Sequence, residues 1–350
     1  MEGKYRAAII GVGAAVSSGK KGGNHQIGYT HAVAYQGNPR VELESGADIN
    51  ENNLKAFQHK FSVEKGFADY QVMLKQTQPD LVSICTYVGQ HHPMIVAAAQ
   101  DGVKGILCEK PFVGSPAALK EVHRVVRETG VKIQVCHIRR YLPAFMRARD
   151  LYQSGAVGEP LMCIAGIAGW DLSEWGSHWL DMFRFFHNDQ PVRWVFGQAR
   201  VRGLHGYGHA MEEHAVAYIE FDGGGKGILD GGMAMNGPWT MTLVGTRGTI
   251  RIEREDTLEI DNAAGRKTEK FSSDYRQIWQ HLVADLLDWI EGGPEPVTGF
   301  TSMAKSAELN LAAYISALRG DRVDLPLGDA DQQINEWPVE LLARRSTSGQ

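Results

Sequence analysis

Long apolar runs are missing from this sequence, and none approaches the roughly 20 residues that a membrane-spanning helix needs. The apolar stretch over residues 7–16 is short, is interrupted by Gly11 and Gly13, and lacks a twin-arginine pair or a small-residue cleavage site. It therefore indicates a first β-strand and not a signal peptide. A net charge of −5 provides no basic field for nucleic acid or an anionic membrane, so we expect neither as a partner.

Cysteine is also scarce, with four residues in a chain of 350: Cys85, Cys108, Cys136 and Cys163. Each lies inside an apolar segment, and no two of them form a Cys-x-x-Cys pair. This pattern favours buried, reduced thiols over disulfide bonds or a zinc site. We predict that the protein holds no metal ion and works in the cytoplasm.

The chain has 350 residues, more than a domain with a single hydrophobic core usually contains, so we predict a globular protein of two domains. In the first third, short apolar runs alternate with helical stretches, which predicts a doubly wound parallel sheet. Beyond residue 161, strand-like segments are separated by turn-forming stretches at 222–225 and 246–248, which favour hairpins. We therefore predict an α/β N-terminal domain over residues 1–136 and an α+β C-terminal domain over residues 137–350 with a large, mostly antiparallel open sheet.

Two glycines follow the first predicted strand. Gly11 and Gly13 allow a tight turn and a close approach of the backbone to a pyrophosphate, although an ordinary turn would have the same residues. The third glycine of the usual fingerprint is displaced, and Gly28 could take its place after an inserted loop over residues 14–27. That loop is either a surface insertion or a lid that contacts phosphate or substrate.

Asp48 ends the second predicted strand, where its carboxylate can accept hydrogen bonds from both ribose hydroxyls. The alternative is a simpler role as the N-cap of the helix predicted over residues 51–61. No arginine follows Asp48 directly, and this favours NAD over NADP as the cofactor. The N-terminal domain is therefore predicted to be a Rossmann domain that binds NAD.

Short matches distributed along the chain then point to one family. Glu109-Lys110-Pro111 is the most specific of them, and the segment from Thr86 to His91 follows a predicted strand. Further matches lie at 139–143, 155–160, 176–181 and 317–327. Together they resemble the glucose-fructose oxidoreductase and inositol dehydrogenase (Gfo/Idh/MocA) family over nearly the whole chain. The resemblance implies an NAD-dependent oxidoreductase that acts on a hydroxyl of a sugar, a polyol or a sugar derivative, assembled as a homo-oligomer (dimer or tetramer).

The resemblance also implies which residues contact the cofactor. The expected set combines the glycine turn, the acidic residue after the second strand, and the two motifs just named: Gly11, Gly13, Asp48, Thr86, His91, Glu109 and Lys110. Within the second motif, Tyr87 stands where the family usually has proline.

By the same resemblance, Lys110 and His178 carry the proton transfer. His178 would act as general acid or base, because imidazole titrates near neutral pH. Lys110 would hydrogen-bond the reacting oxygen, and desolvation could lower its pKa so that it shares the proton. Many family members have an aspartate four residues before the histidine, but this chain has Glu174 there and Asp171 seven residues before. Glu174 or Asp181 could orient the imidazole.

Five residues are candidates for contact with the substrate. Trp175 offers an aromatic face to a sugar ring, or belongs to the core. Arg139 and Arg140 could pair with an acidic substituent, or could brace the domain junction. Asp171 lies near the histidine motif, and His209 suits a substrate-specificity loop. The irregular spacing of the histidines around His209 is unlike that of a metal site.

Two further functions are compatible with these residues. A redox-neutral glycosidase that keeps NAD bound would use the same Lys110 and His178, and net formation of NADH separates it from a dehydrogenase. A nucleotide-sensing protein without catalysis is the third hypothesis, and the presence of both residues argues against it.

Overall fold

The computed structural model describes residues 4–13 and 27–348, so the predicted insertion over residues 14–27 lies outside it except for Ile27. The N-terminal strands are β1 (Tyr5–Ile10), β2 (Val41–Ala47), β3 (Lys65–Phe67), β4 (Leu81–Ile84), β5 (Gly105–Cys108) and β6 (Lys132–Val135). The helices between them are α1 (Ile27–Gln36), α2 (Glu51–Phe61), α3 (Tyr70–Thr77), α4 (Val88–Gln100) and α5 (Pro116–Thr129).

These strands form one six-stranded sheet in the order β3-β2-β1-β4-β5-β6, and every adjacent pair is parallel. The predicted doubly wound parallel sheet is therefore confirmed. The last four residues of β1 are buried, as expected for a strand covered by helices on both faces. The strand order reverses between β1 and β4, so a crevice opens at the carboxyl ends of these two strands.

The second part of the chain begins with α6 (Pro143–Gln153) and contains most of the antiparallel structure. Its strands are β7 (Pro160–Ala168), β8 (Val192–Arg200), β9 (Leu204–Gly206), β10 (His209–Met211), β11 (His214–Phe221), β12 (Lys226–Gly232), β13 (Thr240–Gly245), β14 (Gly248–Glu253), β15 (Thr257–Asn262), β16 (Gly265–Lys270) and β17 (Val323–Asp324). Its other helices are α7 (Gly176–Phe186), α8 (Tyr275–Ile290), α9 (Phe300–Arg319) and α10 (Pro338–Ser348).

Nine of these strands form a single open sheet in the order β16-β15-β14-β13-β7-β12-β11-β8-β17. Only the pair β7 and β12 is parallel within it, which confirms the prediction of a large, mostly antiparallel sheet. The short strands β9 and β10 form a separate hairpin, the β9–β10 hairpin. Residues along β11 alternate between buried and partly exposed, because helices cover one face of the sheet.

Three helices of the second part of the chain pack on the two sheets. On the covered face, every residue of α7 is buried. Helix α9 packs so closely on β8 that a Cβ on Gly197 would lie 2.1 Å from the Ala313 carbonyl oxygen. Helix α8 instead packs on the first domain, where the ring of Trp279 lies 4.7 Å from that of His31.

Two predictions about the whole molecule can be compared with this fold. All four cysteines are free, and all except Cys85 are buried, in agreement with the predicted reduced thiols. Among the described residues, no helix combines the length and the apolar character that crossing a membrane requires.

Candidate active site

The turn after β1 is rich in glycine because its backbone passes too close to neighbouring groups for a side chain. Gly11 has a φ of +87°, and a Cβ there would lie 2.7 Å from the Cys85 carbonyl oxygen. A Cβ on Gly28, in the first turn of α1, would lie 2.5 Å from the Gly11 carbonyl oxygen. A Cβ on Gly13 would lie 2.1 Å from Nδ2 of Asn53. The result is a cradle of bare backbone at the crevice of the sheet, which fits a dinucleotide.

Asp48 lies just after β2, beside this cradle. Its Oδ2 accepts a hydrogen bond from the Val12 backbone N–H at 3.0 Å, and its Oδ1 accepts one from Asn50 at 2.8 Å. The N-cap of α2 is Asn50, whose side chain accepts from the N–H groups of Asn52 and Asn53. The alternative prediction of Asp48 as the helix cap is therefore wrong. Its partly exposed carboxylate retains lone pairs that suit ribose hydroxyls.

A chain of buried polar groups supports Glu109. His31 on α1 places Nε2 3.2 Å from the Glu109 carboxylate and Nδ1 2.8 Å from the Ser83 hydroxyl. The Ser83 hydroxyl in turn donates to the phenol of Tyr35 at 2.8 Å. Burial acts to raise the pKa of Glu109, but the hydrogen bond and charge of His31 hold it below its ordinary value. The carboxylate next to Lys110 is therefore fixed and charged.

His91 ties the segment after β4 to the loop after β5. Its side chain is completely buried, with Nε2 2.9 Å from the Thr86 carbonyl oxygen and Nδ1 2.9 Å from that of Pro111. Burial lowers the pKa of His91 below its ordinary value. His91 is one of the predicted cofactor contacts. Its buried imidazole holds together the backbone at Thr86 and the backbone at Pro111.

Lys110 follows β5, and its ammonium reaches the second domain. Nζ lies 3.0 Å from Oε2 of Glu174 and 3.2 Å from the Glu174 carbonyl oxygen. Burial acts to lower the pKa of Lys110, but the charges of Glu174 and Glu109 raise it above its ordinary value. The expectation of a lowered pKa is therefore wrong, because two carboxylates outweigh desolvation. The group is a fixed positive charge that can hydrogen-bond an oxygen.

His178 lies in the first turn of α7, buried and without a hydrogen-bond partner for Nδ1 among the residues described. Its ring meets that of His137 edge-on at 5.2 Å. Burial, together with the charges of Arg139 and Lys110, lowers the pKa of His178 well below its ordinary value. The imidazole is therefore neutral at physiological pH and can accept a proton.

The two carboxylates predicted to orient this imidazole are engaged elsewhere. Glu174 pairs with Lys110, and Asp181 is fully buried against Arg140, which donates to it at 2.8 and 2.9 Å. Arg140 also bonds Asp189 at 2.7 Å. Burial acts to raise the pKa of Asp181, but Arg140 lowers it to about 2. The donors of Arg140 are thus occupied by protein groups of the second part of the chain, and both roles predicted for it remain predictions.

This buried ion pair predicts a large effect on stability. Arg140→Met leaves Asp181 charged and without its bidentate partner, so we expect the free energy of unfolding to fall by about 3–5 kcal/mol at neutral pH. Because the folded-state pKa of Asp181 is depressed, the pair stabilises the fold above the unfolded pKa and loses this effect as pH falls towards 2. Urea denaturation at several pH values measures the difference.

The matched control is Arg147→Met, because Arg147 pairs with Glu269 at 3.1 Å while its own side chain is 43% exposed. We expect that exposed pair to contribute less than about 1 kcal/mol. Equal losses in the two variants would contradict the importance of the buried pair.

Arg139 lies in a stack of aromatic rings beside His178. Its guanidinium carbon is 5.1 Å from the ring centroid of Trp175 and 4.8 Å from that of Trp179. Two more rings extend the stack, with Trp170 4.5 Å from Trp175 and Trp239 5.0 Å from Trp179. A carboxylate oxygen of Glu255 lies 2.5 Å from the guanidinium. Arg139 is thus already paired with a protein acid, and the partly exposed Trp175 belongs to a continuous aromatic wall.

Asp171, Ser173 and His209 form a buried polar cluster next to Glu174. Nε2 of His209 lies 2.9 Å from the Ser173 hydroxyl and 3.4 Å from Oδ2 of Asp171. The same Asp171 oxygen accepts the Glu174 backbone N–H at 3.1 Å. Burial acts to lower the pKa of His209, but the hydrogen bond and charge of Asp171 raise it. Two predicted substrate residues therefore share one network with the partner of Lys110.

Glu212, just after β10, carries an unusual carboxyl group. It is completely buried and accepts hydrogen bonds from the Tyr314 phenol at 3.1 Å and from the Leu172 backbone N–H. Burial and the charge of Asp171 raise the pKa of Glu212 to about 7. Because folding raises this pKa, the native state keeps the Glu212 proton at pH values where the unfolded state has lost it. The free energy of unfolding therefore falls as pH rises from the ordinary pKa of glutamate to about 7.

We therefore expect Glu212→Gln to raise the free energy of unfolding by about 1–3 kcal/mol near pH 8 and by little near pH 5. Chemical denaturation at the two pH values measures the gain. Glu220→Gln is the control, since Glu220 lies on the partly exposed face of β11. A gain that does not depend on pH would contradict this explanation.

Several residues of the site were not predicted individually. His31, Ser173, Glu255 and Trp337 all contact predicted site residues. A histidine in the apolar pattern of the first helix is a signal for His31, because a buried imidazole needs polar partners. Glu255 and Trp337 become neighbours of the site only through long-range contacts, whereas Ser173 also bonds Asp171, two residues before it.

The comparisons with known proteins agree with this fold. A sequence model described as "Oxidoreductase family, NAD-binding Rossmann fold" matches residues 5–137. A second, described as "GFO/IDH/MocA C-terminal domain", matches residues 145–251. The two matches together cover more than half of the chain.

Individual relatives extend over nearly the whole length. The chain is 25% identical to a D-apiose dehydrogenase of Paraburkholderia graminis, over 94% of this chain and 92% of that protein. It is also 25% identical to a scyllo-inositol 2-dehydrogenase (NAD(+)) of Bacillus subtilis, over 93% and 97%. A levoglucosan dehydrogenase solved with NADH and levoglucosan superposes with a TM-score of 0.77 at 19% identity, over 92% of this chain and 100% of the other. This last likeness shows the shared fold.

Proposed function

The chain belongs to the Gfo/Idh/MocA family of NAD-binding oxidoreductases, and on that premise we propose that it is a dehydrogenase for a hydroxyl of a sugar, a polyol or a sugar derivative. The observation that carries the proposal is the pairing of Lys110 with Glu174 beside the neutral His178. Lys110 follows β5, a strand next to β4 in the sheet whose crevice would hold the nucleotide. Relatives named as apiose and inositol dehydrogenases support the substrate class.

The cradle of Gly11, Gly13 and Gly28, with the carboxylate of Asp48, would hold NAD, which accepts or supplies a hydride when bound. The protein provides binding and orientation for that chemistry. The Glu109 carboxylate accepts the Lys110 backbone N–H, and His91 lies 2.9 Å from the Pro111 carbonyl oxygen, so the backbone is held on either side of Lys110.

Lys110 would hold the hydroxyl oxygen of the substrate. Its ammonium stays charged because of Glu174 and Glu109, and a fixed positive charge stabilises an oxygen that becomes negative as its proton leaves. Glu174 accepts two hydrogen bonds from the ammonium, one through its carboxylate and one through its backbone carbonyl oxygen. Because a lysine ammonium has three N–H groups, one remains for the substrate.

His178 would take the hydroxyl proton in oxidation and return it in reduction. The positive charges of Arg139 and Lys110 keep the imidazole neutral, so a nitrogen lone pair is available without prior deprotonation. The aromatic wall that contains Trp175 excludes water beside the ring, and one of its faces suits the apolar face of a sugar.

A second candidate, the redox-neutral glycosidase, gains support from Tyr207. This tyrosine precedes His209 by two residues, and burial together with the charge of Glu174 raises its pKa. Elimination of the aglycone after oxidation of the ring needs a group that takes the proton from the adjacent C–H, and Tyr207 is a tyrosine near His209 that could do so. Such an enzyme would use the same Lys110 and His178.

The deciding experiment supplies NAD with a panel of sugars, polyols and glycosides, and follows NADH absorbance and aglycone release in the same wells. Steady accumulation of NADH with one substrate class supports the dehydrogenase. Aglycone release without net NADH would replace it with the glycosidase. Neither signal, from protein that binds NAD, would favour a nucleotide sensor.

We also propose a homo-oligomer that uses the uncovered face of the nine-stranded sheet. That face exposes Ile164 at 36% and Phe196 at 41%, close to neighbouring apolar residues of the same strands. Exposed apolar surface of this kind suits association with a second copy. Light scattering tests the proposal, and a mass of one chain at all concentrations would contradict it.

A further inference from the structure

The residues just before and within α10 pack on the β9–β10 hairpin. The ring of Trp337 lies 4.1 Å from the ring of His209. Three residues later, the Glu340 carboxylate accepts the backbone N–H of Ala210 at 2.6 Å. The two contacts hold successive residues of β10, one through its side chain and the other through its main chain. We call residues 334–340 the C-terminal strap.

The strap is also attached to the first domain. The Ile334 carbonyl oxygen accepts the Ala117 N–H in the first turn of α5 at 3.0 Å. Gly114 lies directly beneath Trp337, since a Cβ there would be 3.6 Å from the indole ring. Gly114 belongs to the loop that starts with Lys110. The strap therefore spans from the catalytic lysine's loop to the hairpin of the second domain.

From the hairpin, contacts lead directly into the site. His209 bonds Ser173 and Asp171, and that Asp171 oxygen also receives the backbone N–H of Glu174. Glu174 holds Lys110. The hairpin tip carries Tyr207, with a φ of +52°, close enough to feel the charges of Glu174 and Lys110. The strap thus contacts His209 at one end of this hydrogen-bond network, and Lys110 lies at the other end.

We propose that the C-terminal strap positions the β9–β10 hairpin over the substrate, with Trp337 and Glu340 as positioning residues for substrate binding. The proposal rests on the proposed dehydrogenase function only for the substrate, because the packing itself does not depend on the reaction. Loss of the strap's contacts should loosen the hairpin, weaken substrate binding and leave the lysine, the histidine and the nucleotide cradle in place.

The test combines two readouts on the full chain. In Glu340→Ala, the Ala210 amide loses its acceptor, so hydrogen exchange of residues 204–211 should rise by about tenfold. The KM for the carbohydrate should rise by about tenfold while kcat changes less than threefold, because transition-state groups are untouched. Glu340→Gln retains an acceptor oxygen and should remain closer to wild type. Trp337→Phe should behave likewise.

Glu336→Ala is the matched control, because Glu336 precedes Trp337 directly and pairs with Arg344 on an exposed surface. Unchanged exchange and unchanged KM in Glu340→Ala would overturn the proposal. If hydrogen exchange rises in Glu340→Ala but the wild type shows no carbohydrate activity, the strap's role in holding the hairpin is supported and the proposed dehydrogenase is refuted. If Glu340→Ala does not fold, Trp337→Leu decides by the same two readouts, because it removes the ring that lies 4.1 Å from that of His209, and wild-type values in Trp337→Leu would overturn the proposal.

Discussion

A Lys110→Met variant is expected to turn over its substrate about 10³-fold more slowly than the wild type, because one charged donor at a developing oxyanion contributes an effect of this size. Methionine retains the length and volume of the side chain but loses the ammonium that lies 3.0 Å from Glu174. The substrate oxygen then has no fixed positive charge beside it. Single-turnover measurement of NADH formation at saturating substrate reports this loss in the chemical step.

Two controls separate catalysis from binding and folding. Lys104→Met removes a lysine that pairs with Asp80 at 2.9 Å, with its side chain 55% exposed, and should leave turnover unchanged. NAD affinity of Lys110→Met should fall far less than turnover, since Lys110 is one of several predicted contacts and the cradle itself is formed by other residues. Full activity in Lys110→Met would refute its catalytic role and revive the nucleotide-sensing hypothesis.

The second large effect is expected at His178. His178→Asn should lower kcat/KM by about 10²–10⁴-fold, the usual contribution of a general base. In the wild type, oxidation needs the neutral imidazole, so the rate should fall as pH falls through the pKa of His178. Burial and the charges of Arg139, Lys110 and His137 place that pKa well below the ordinary value. The acidic limb of the profile should therefore lie at unusually low pH and disappear in the variant.

The control for this prediction is His214→Asn. His214 pairs with Asp230 on the open face of the sheet, and its side chain is 49% exposed. We expect its pH profile to match the wild type. An acidic limb that persists in His178→Asn would assign the titration to another group and contradict the proposed base.

The first domain could be predicted well because its signals are local. Short apolar strands, a glycine turn and regularly placed helices specify a doubly wound sheet without knowledge of tertiary contacts. The boundaries were less certain. The apolar pattern predicts the first helix only from His31, whereas α1 begins at Ile27. The fourth helix is predicted from His92 but begins at Val88, so that Pro93 lies inside it, in the second turn.

Short motifs predict Lys110 and His178 as reactive groups of the site, but they do not predict which residues hold these groups. That Glu174 would pair with Lys110, and Asp181 with Arg140, depends on which helix faces which loop across the domain junction. Glu255 reaches Arg139 from a hairpin turn more than a hundred residues away in sequence. Such contacts arise from the packed fold, and no residue spacing encodes them.

Helix α8 has a consequence for how the chain is made. Its residues Ile278 and Leu286 belong to the same apolar cluster as Ala7 and Ile9 of β1, and its last turn presses on Gly105 of β5. The first domain therefore lacks part of its apolar packing when its six strands have been synthesised. That packing is complete only after residue 290 has been translated, which follows the synthesis of nearly the whole second sheet. Chimeras that exchange the two halves at residue 136 would separate this helix from the surface it covers.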